Sequence, residues 1–236
     1  MAKQGTIHGV VTGPINKEAI NLAGHHYSGH TEIFAELTGT KNYAMLLCSD
    51  QLHVIHVTTH VSMRDACDRV TKERVLTVIR LADEAMRLLG YSNVRIGVAG
   101  LNAHASENGL FGREETDWII PAIDQARREG LNVDGPVPPD TVFVKALASQ
   151  YDIIVAMYHD QGHIPLKLSG FRLDPATNRY ASMSGVNTTV GLPVIRTSVD
   201  HGTAFGKAGE NRANEQSMVE AIEMAATMAT HKFHLA

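Results

Sequence analysis

Short apolar runs, each closing on polar or glycine residues and separated by helix-length stretches, set the strongest limit on what this chain can fold into. The runs are "IHGVVT" (7–12), "AMLLCS" (44–49), "HVIHVTT" (53–59), "VRIGVAG" (94–100) and "YDIIVAM" (151–157). Their Val and Ile content and abrupt ends predict strands. Between Thr71 and Gly90, the residues Val75, Val78, Ala82, Ala85 and Leu89 recur at three- and four-residue steps, which predicts an amphipathic helix closed by Gly90. "ETDWIIPAIDQARREG" (115–130) predicts a second helix, in which Pro121 either kinks the axis or belongs to a late first turn. A third is predicted over 213–230. Strands alternating with helices predict an α/β fold with a largely parallel sheet. The stretch 172–186, "RLDPATNRYASMSGV", has no periodicity and reads as a loop inserted between ordered pieces. The first strand leads straight into "TGPINKEAI", a junction typical of the middle of a domain, so an N-terminal portion is expected to be missing.

Composition narrows the function classes. The chain has 236 residues, room for one large domain or two small ones, and is 44% hydrophobic. A net charge of -4 argues against a phosphate-backbone binder. No apolar run reaches the roughly 18 residues that span a bilayer. "MAKQGTIHGVV" lacks the apolar core of a signal peptide, so a cytoplasmic location is expected. Cys48 and Cys67 have no metal-type spacing and are expected to be buried thiols in a reducing compartment.

Five places concentrate polar groups, and in open α/β sheets ligands gather beyond the carboxyl ends of strands. In "SGHTE" (28–32), His30 and Thr31 precede an apolar run. Free backbone N–H groups at a helix start suit an anion, while capping by Ser28 or Thr31 is the commoner local pattern. In "LHVIHVTTH" (52–60), strand alternation puts His53 and His56 on opposite faces and leaves His60 at the strand end. "GLNAHASENG" (100–109) carries His104 after another strand, and "MYHDQGHIPLK" (157–167) carries His159, Asp160, His163 and Lys167 after a third. Three imidazoles with open positions suit a catalytic divalent ion, and coincidence among thirteen histidines is the alternative. In "GLPVIRTSVDHGTAFGKAGENRAN" (191–214), Arg196 and Asp200 flank a small-residue loop that lets backbone approach a cofactor.

The pieces "GPINKEAI", "GHTE", "TTH", "GLNAHASE", "GPVPPDT", "MYHDQG", "PLK", "NTTVGLP" and "RTSVDHGTA", taken in order, resemble the 4-hydroxythreonine-4-phosphate dehydrogenase family, with its threonate- and erythronate-phosphate paralogues. The resemblance implies an isocitrate/isopropylmalate dehydrogenase-like αβα sandwich with two domains, the first incomplete. Residues 1–205 would form mainly the substrate- and metal-binding domain, and 206–236 would return to the cofactor-side domain. It implies substrate contacts at His30, Thr31, Lys167, Asn187 and Arg196, and ligands for Zn, Mg or Co at His60, His104 and His159. Asp160 would support His159, and Lys167 would act in catalysis. NAD or NADP would meet His201, Gly202, Thr203, Ala204 and Asn214. The family's homodimer has its active site near the subunit interface.

The implied reaction oxidises the secondary hydroxyl of a phosphorylated four-carbon hydroxy acid and then removes CO2. Departures are the absent "GDPAGIGPE"-like opening, "NAHASE" in place of "NPHAGE", His163 in place of an apolar residue, and the 172–186 insertion. Two of these are similar to the cis-dihydrodiol dicarboxylate dehydrogenases of aromatic degradation. A truncated ligand-binding remnant is the non-enzymatic alternative.

Overall fold

The computed structural model describes residues 1–176, 179–211 and 213–234. Its strands are β1 (Gly9–Thr12), β2 (Ala44–Cys48), β3 (His53–His56), β4 (Arg95–Ala99), β5 (Asn132–Val137), β6 (Ile153–Ala156), β7 (Phe171–Asp174), β8 (Arg179–Met183), β9 (Val186–Val190) and β10 (Ile195–Val199). The helices are α1 (Lys17–Leu22), α2 (His30–Thr38), α3 (Met63–Arg69), α4 (Lys72–Leu88), α5 (Ile120–Arg128), α6 (Pro139–Leu147), α7 (His159–Gly170) and α8 (Gln216–Phe233).

All five predicted strands and three predicted helices form, with trimmed or shifted ends. Thr71 caps α4 by accepting from the Arg74 N–H at 3.3 Å. Pro121 falls at the start of α5, directly after a single π turn at Glu115–Ile119.

Eight strands join one sheet in the order β1-β10-β9-β2-β3-β6-β4-β5. The largely parallel sheet expected from the alternation is instead mixed. β3, β6, β4 and β5 run parallel, as do β1 and β10, but β9 opposes both β10 and β2, and β2 opposes β3. Two tight connections reverse the chain. One is closed by the Ser49 N–H donating to the Leu52 carbonyl, and the other turns at Gly191, whose φ of +89° suits glycine.

Helices cover both faces. Leu46, Ile55, Val155 and Ile96 pack against Val75, Val78 and Ile79 of α4 and Ile123 of α5. Leu47, Val54 and Ile154 pack against Val142 and Phe143 of α6 and Leu166 of α7. Each such side chain contributes roughly 1.5–3 kcal/mol by leaving water. The stretch expected to return to a second domain contributes α8, and its Ala225, Met228 and Ala229 lie on Ile195 of this same sheet. Where an unstructured insertion was expected, β7 and β8 pair antiparallel, because such a ribbon needs no apolar alternation. Positions 177 and 178 of that stretch lie outside the described residues. Cys48 is buried as expected, but Cys67 is exposed. No helix among the described residues is long and apolar enough to cross a membrane.

Helix α7 meets β3 at Gly162. A methyl group there would lie 2.4 Å from His56 Nε2 and 2.6 Å from Val54 Cγ1. Gly162→Ala gains up to about 1 kcal/mol of helix propensity but overpacks at a cost of about 1–3 kcal/mol. The clash dominates because both contacted side chains are fully buried. The expected result is a lower urea midpoint at unchanged slope, and a raised midpoint would show that α7 is free to lift.

Candidate active site

Strand register shows where the polar groups meet. Arg196 and Ser198 of β10 pair with Val10 and Thr12 of β1, and Ser198 pairs with Asn187 of β9, which in turn pairs with Leu47. Pairing preserves the face, so Thr12, Asn187, Thr189, Arg196 and Ser198 share the face on which Leu47 packs toward α6 and α7. No common carboxyl edge exists, because the antiparallel strands split the sheet into two directions. The cleft therefore lies over the face of β1, β10, β9 and β2, roofed by the start of α2. It encloses about 250 Å³ and is lined by Lys17, His30, Thr31, Glu32, His60, His163, Asn187, Arg196, Asp200, His201 and Gly202.

Neither residue expected to cap α2 does so. Gly29 occupies the N-cap with no side-chain bond, and Thr31 Oγ1 instead lies 3.1 Å from Thr189 Oγ1 on the sheet. The start of α2 is thereby left without a side-chain cap where residues 28–32 line the cleft, which favours an anion. Lys17, the first residue of α1, brings its Cε within 4.0 Å of where a Gly29 side chain would start.

Arg196 sits beneath them at 3% exposure. Its guanidinium donates to Thr12 Oγ1 at 2.8 Å and Thr189 Oγ1 at 3.2 Å, and lies 5.9 Å from the Phe34 ring. Among the described residues no carboxylate bonds it. Burial pushes its pKa down to about 10, with Glu32 pulling the other way. Arg196 Nε, Asn187 Oδ1 and Asp200 Oδ2 are buried without a partner. Buried polar groups are normally hydrogen-bonded, so three such atoms around one cleft mark a place built for a ligand. Burial raises the Asp200 carboxyl, opposed by Lys167, His201 and His159.

The histidines are arranged in two groups. His60, His104 and His159 follow β3, β4 and β6, which are adjacent and parallel. His60 and His159 meet, with ring centroids 5.6 Å apart. Asp160 Oδ1 lies 2.6 Å from His159 Nδ1, which leaves Nε2 as the free nitrogen, as metal-binding histidines require. Burial, then Lys17 and His159, lower the His60 pKa, which favours the neutral, ligating form.

His104 does not join the pair, contrary to the expected convergence of three imidazoles. Its Nδ1 lies 2.8 Å from Glu107 Oε2 and its ring meets Phe111 edge-on. The cause is backbone. Residues 104–108 all have positive φ, a left-handed turn that non-glycine residues adopt at a cost of about 1–2 kcal/mol each. Buried Glu115 holds its base by accepting from the N–H groups of Leu101 and Asn102. Among the described residues no three His, Cys, Asp or Glu side chains converge closely enough to hold an ion. One chain thus brings two of the three histidines together and leaves the third exposed.

Residues 1–225 match the family described as pyridoxal phosphate biosynthetic protein PdxA. The chain belongs to that family. It is 52% identical over 229 residues to D-threonate 4-phosphate dehydrogenase of Salmonella typhimurium, covering 97% of this chain and 67% of that protein. A crystal structure of 4-hydroxythreonine-4-phosphate dehydrogenase from Klebsiella pneumoniae superimposes with a TM-score of 0.82 at 50% identity, over 97% of this chain and 66% of that one. Terephthalate 1,2-cis-dihydrodiol dehydrogenase from Burkholderia xenovorans is more distant, with a TM-score of 0.72 and 31% identity, over 96% of this chain and 68% of that one. The chain spans about two thirds of the curated relatives it matches, 66% and 67% for two of them.

Within this PdxA-family chain, His30, Thr31, His60, Asn187, Arg196, His201 and Gly202 line one cleft. Lys167 lies on α7 with its Nζ 5.7 Å from the Phe171 ring. Thr203 and Ala204 continue the loop beyond Gly202, and Asn214 Oδ1 accepts from the Gln216 N–H at the foot of α8. Sequence reading gave no role to Lys17 and Glu32. Both sit inside recognised pieces, "GPINKEAI" and "GHTE", and only the meeting of α1 with α2 gives them one.

Proposed function

We propose that this chain carries the substrate and metal groups of a dehydrogenase acting on a phosphorylated four-carbon hydroxy acid. D-Threonate or erythronate 4-phosphate and 4-phosphohydroxythreonine are the candidates. The observation that carries the reading is Arg196, a buried guanidinium whose hydrogen-bond partners among the described residues are hydroxyls, in the same cleft as the uncapped start of α2. A phosphate there completes its fork. The naming of the relatives as phosphate-ester dehydrogenases supports the same class.

Arg196, Lys17 and the start of α2 would hold the phosphate, and Asn187 would orient the backbone of the acid. His60 and His159 would hold the metal, with Asp160 fixing the tautomer of His159. His104 stands exposed and apart, and a site near a subunit interface would receive it from a second copy of the chain. A divalent ion held there would supply Lewis-acid chemistry toward the substrate hydroxyl, and NAD would supply the acceptor for the hydride on the carbon that bears this hydroxyl. His201 and Gly202 give the cofactor an approach free of bulk at Gly202. Lys167 would place its ammonium beside the enolate left by loss of CO2.

The test is a binding panel by calorimetry, with NADH formation and CO2 release followed in parallel. Phosphorylated acids should bind at least tenfold more tightly than their unphosphorylated forms, since a buried charged contact is worth about 2 kcal/mol or more. Equal binding of both forms would remove the phosphate reading. Turnover of a cis-dihydrodiol dicarboxylate alone would favour the rival substrate class.

A further inference from the structure

We propose that His163 is a positioning residue that fixes the imidazole of His159 in the orientation its metal-binding role requires. The inference rests on the metal reading above. His159 occupies the first position of α7, where a helix end leaves a side chain least constrained, and among the described residues its one side-chain bond is to Asp160, whose side chain is 68% exposed. An exposed carboxylate is a weak tether, because water competes for it.

A firmer restraint comes from the opposite direction. His163 lies one helical turn further on, so it shares the face of α7 that carries His159. The two rings stack at 3.6 Å between centroids and 11° between planes. His163 is itself held, because its Nδ1–H donates to the His159 carbonyl at 2.9 Å and its ring meets that of His56 at 4.8 Å. His56 is fully buried on β3, and its Nδ1–H donates to the Met45 carbonyl of β2. Gly162 lets α7 come close enough for this contact, since any side chain there would strike His56. Four imidazoles therefore form one row from the sheet interior to the cleft: His56, His163, His159, His60. The inner two are buried and the outer two are the metal pair. Rigidity of the sheet is passed through His163 to the face of His159.

A flat ring, rather than a particular nitrogen, is what this role demands. The experiment compares the full wild-type chain with His163→Leu and His163→Phe. Zinc affinity is measured by competition with a chromophoric chelator. Removing a group that orients a metal ligand weakens affinity by about 10–100-fold, so His163→Leu should fall in that range. His163→Phe keeps a stacking face and should stay within about 3-fold of wild type. Wild-type affinity in His163→Leu, or equal loss in both variants, overturns the proposal. A second measurement uses the metal-free chains. The His159 ring C–H signals, followed by NMR, should be displaced by the His163 ring current in the wild type. They should move to solvent-exposed positions in His163→Leu and stay displaced in His163→Phe. If the wild type binds no zinc, the metal reading fails, and unchanged His159 signals in His163→Leu still overturn the positioning role.

Discussion

Arg196→Met is expected to weaken binding of the phosphorylated acid by roughly 100-fold or more while leaving the chain as stable as before, or more so. The two halves of this result come from one fact. Arg196 is a buried cation whose partners are two threonine hydroxyls and an aromatic face, with one nitrogen unpartnered. It has been taken out of water, and among the described residues no carboxylate bonds it, Glu32 acting only from a distance. Replacing such a charge by an apolar side chain of similar length is often neutral or stabilising. The ligand's phosphate, by contrast, loses its bidentate partner. Arg196→Lys should not rescue, because a point charge cannot bond Thr12, Thr189 and an anion together in one plane. Calorimetry and thermal melts on the same preparations check both halves. A variant that melts lower and binds normally would show that Arg196 is a structural strut.

The same burial gives a pH signature. Burial pushes the Arg196 pKa down to about 10, below the ordinary arginine value. Below about 10 the group is protonated in both folded and unfolded chains, and its cost is constant. Above about 10 the folded chain releases the proton while the unfolded chain keeps it. Stability from this group therefore rises with pH in that window. Arg196→Met should abolish the rise, and alkaline denaturation of the two proteins would show the difference.

Much of the fold was legible because strands such as "YDIIVAM" and the helix through Val75–Leu89 carry their own periodicity. What was not legible has physical causes. β9 and β10, "VNTTV" and "IRTSV", are mostly polar on one face because that face lines a ligand cleft rather than a core. That polarity hid two central strands, and with them the mixed direction of the sheet. Helix α7 was masked by glycine and proline in "HDQGHIPLKLSG", both poor helix formers. The glycine is explained by the approach of His56. Of the residues that the resemblance implied, Arg196, Asn187, His30 and Thr31 converge on one cleft from three separate parts of the chain. Lys17 was missed because nothing local separates it from any helix-start lysine. The placement of the three strand-end histidines was only partly legible: sequence put them on one edge, but the left-handed turn at 104–108 has no glycine to announce it.

That turn leads to the second large effect. His159→Ala and His60→Ala should each lower zinc affinity at least 100-fold, because three ligands are the minimum for a catalytic site and two then remain. His53→Ala should keep the ion, since His53 lies on the other face of β3, bonded to the Asp152 carbonyl. His104→Ala tests whether His104 is a ligand at all. If His60 and His159 hold the ion with a third ligand other than His104, His104→Ala is silent. If a second copy supplies His104, the variant loses the metal as completely as His159→Ala. Mixing the two inactive variants then decides the geometry. In a symmetric dimer with shared sites, random exchange makes half the dimers mixed, and each mixed dimer has one intact site of two. Zinc occupancy should recover to about a quarter of wild type. No recovery in verified mixed dimers, with both single variants still inactive, would place all three ligands in one chain. That outcome would require residues 104–108 to leave their left-handed turn when the metal binds.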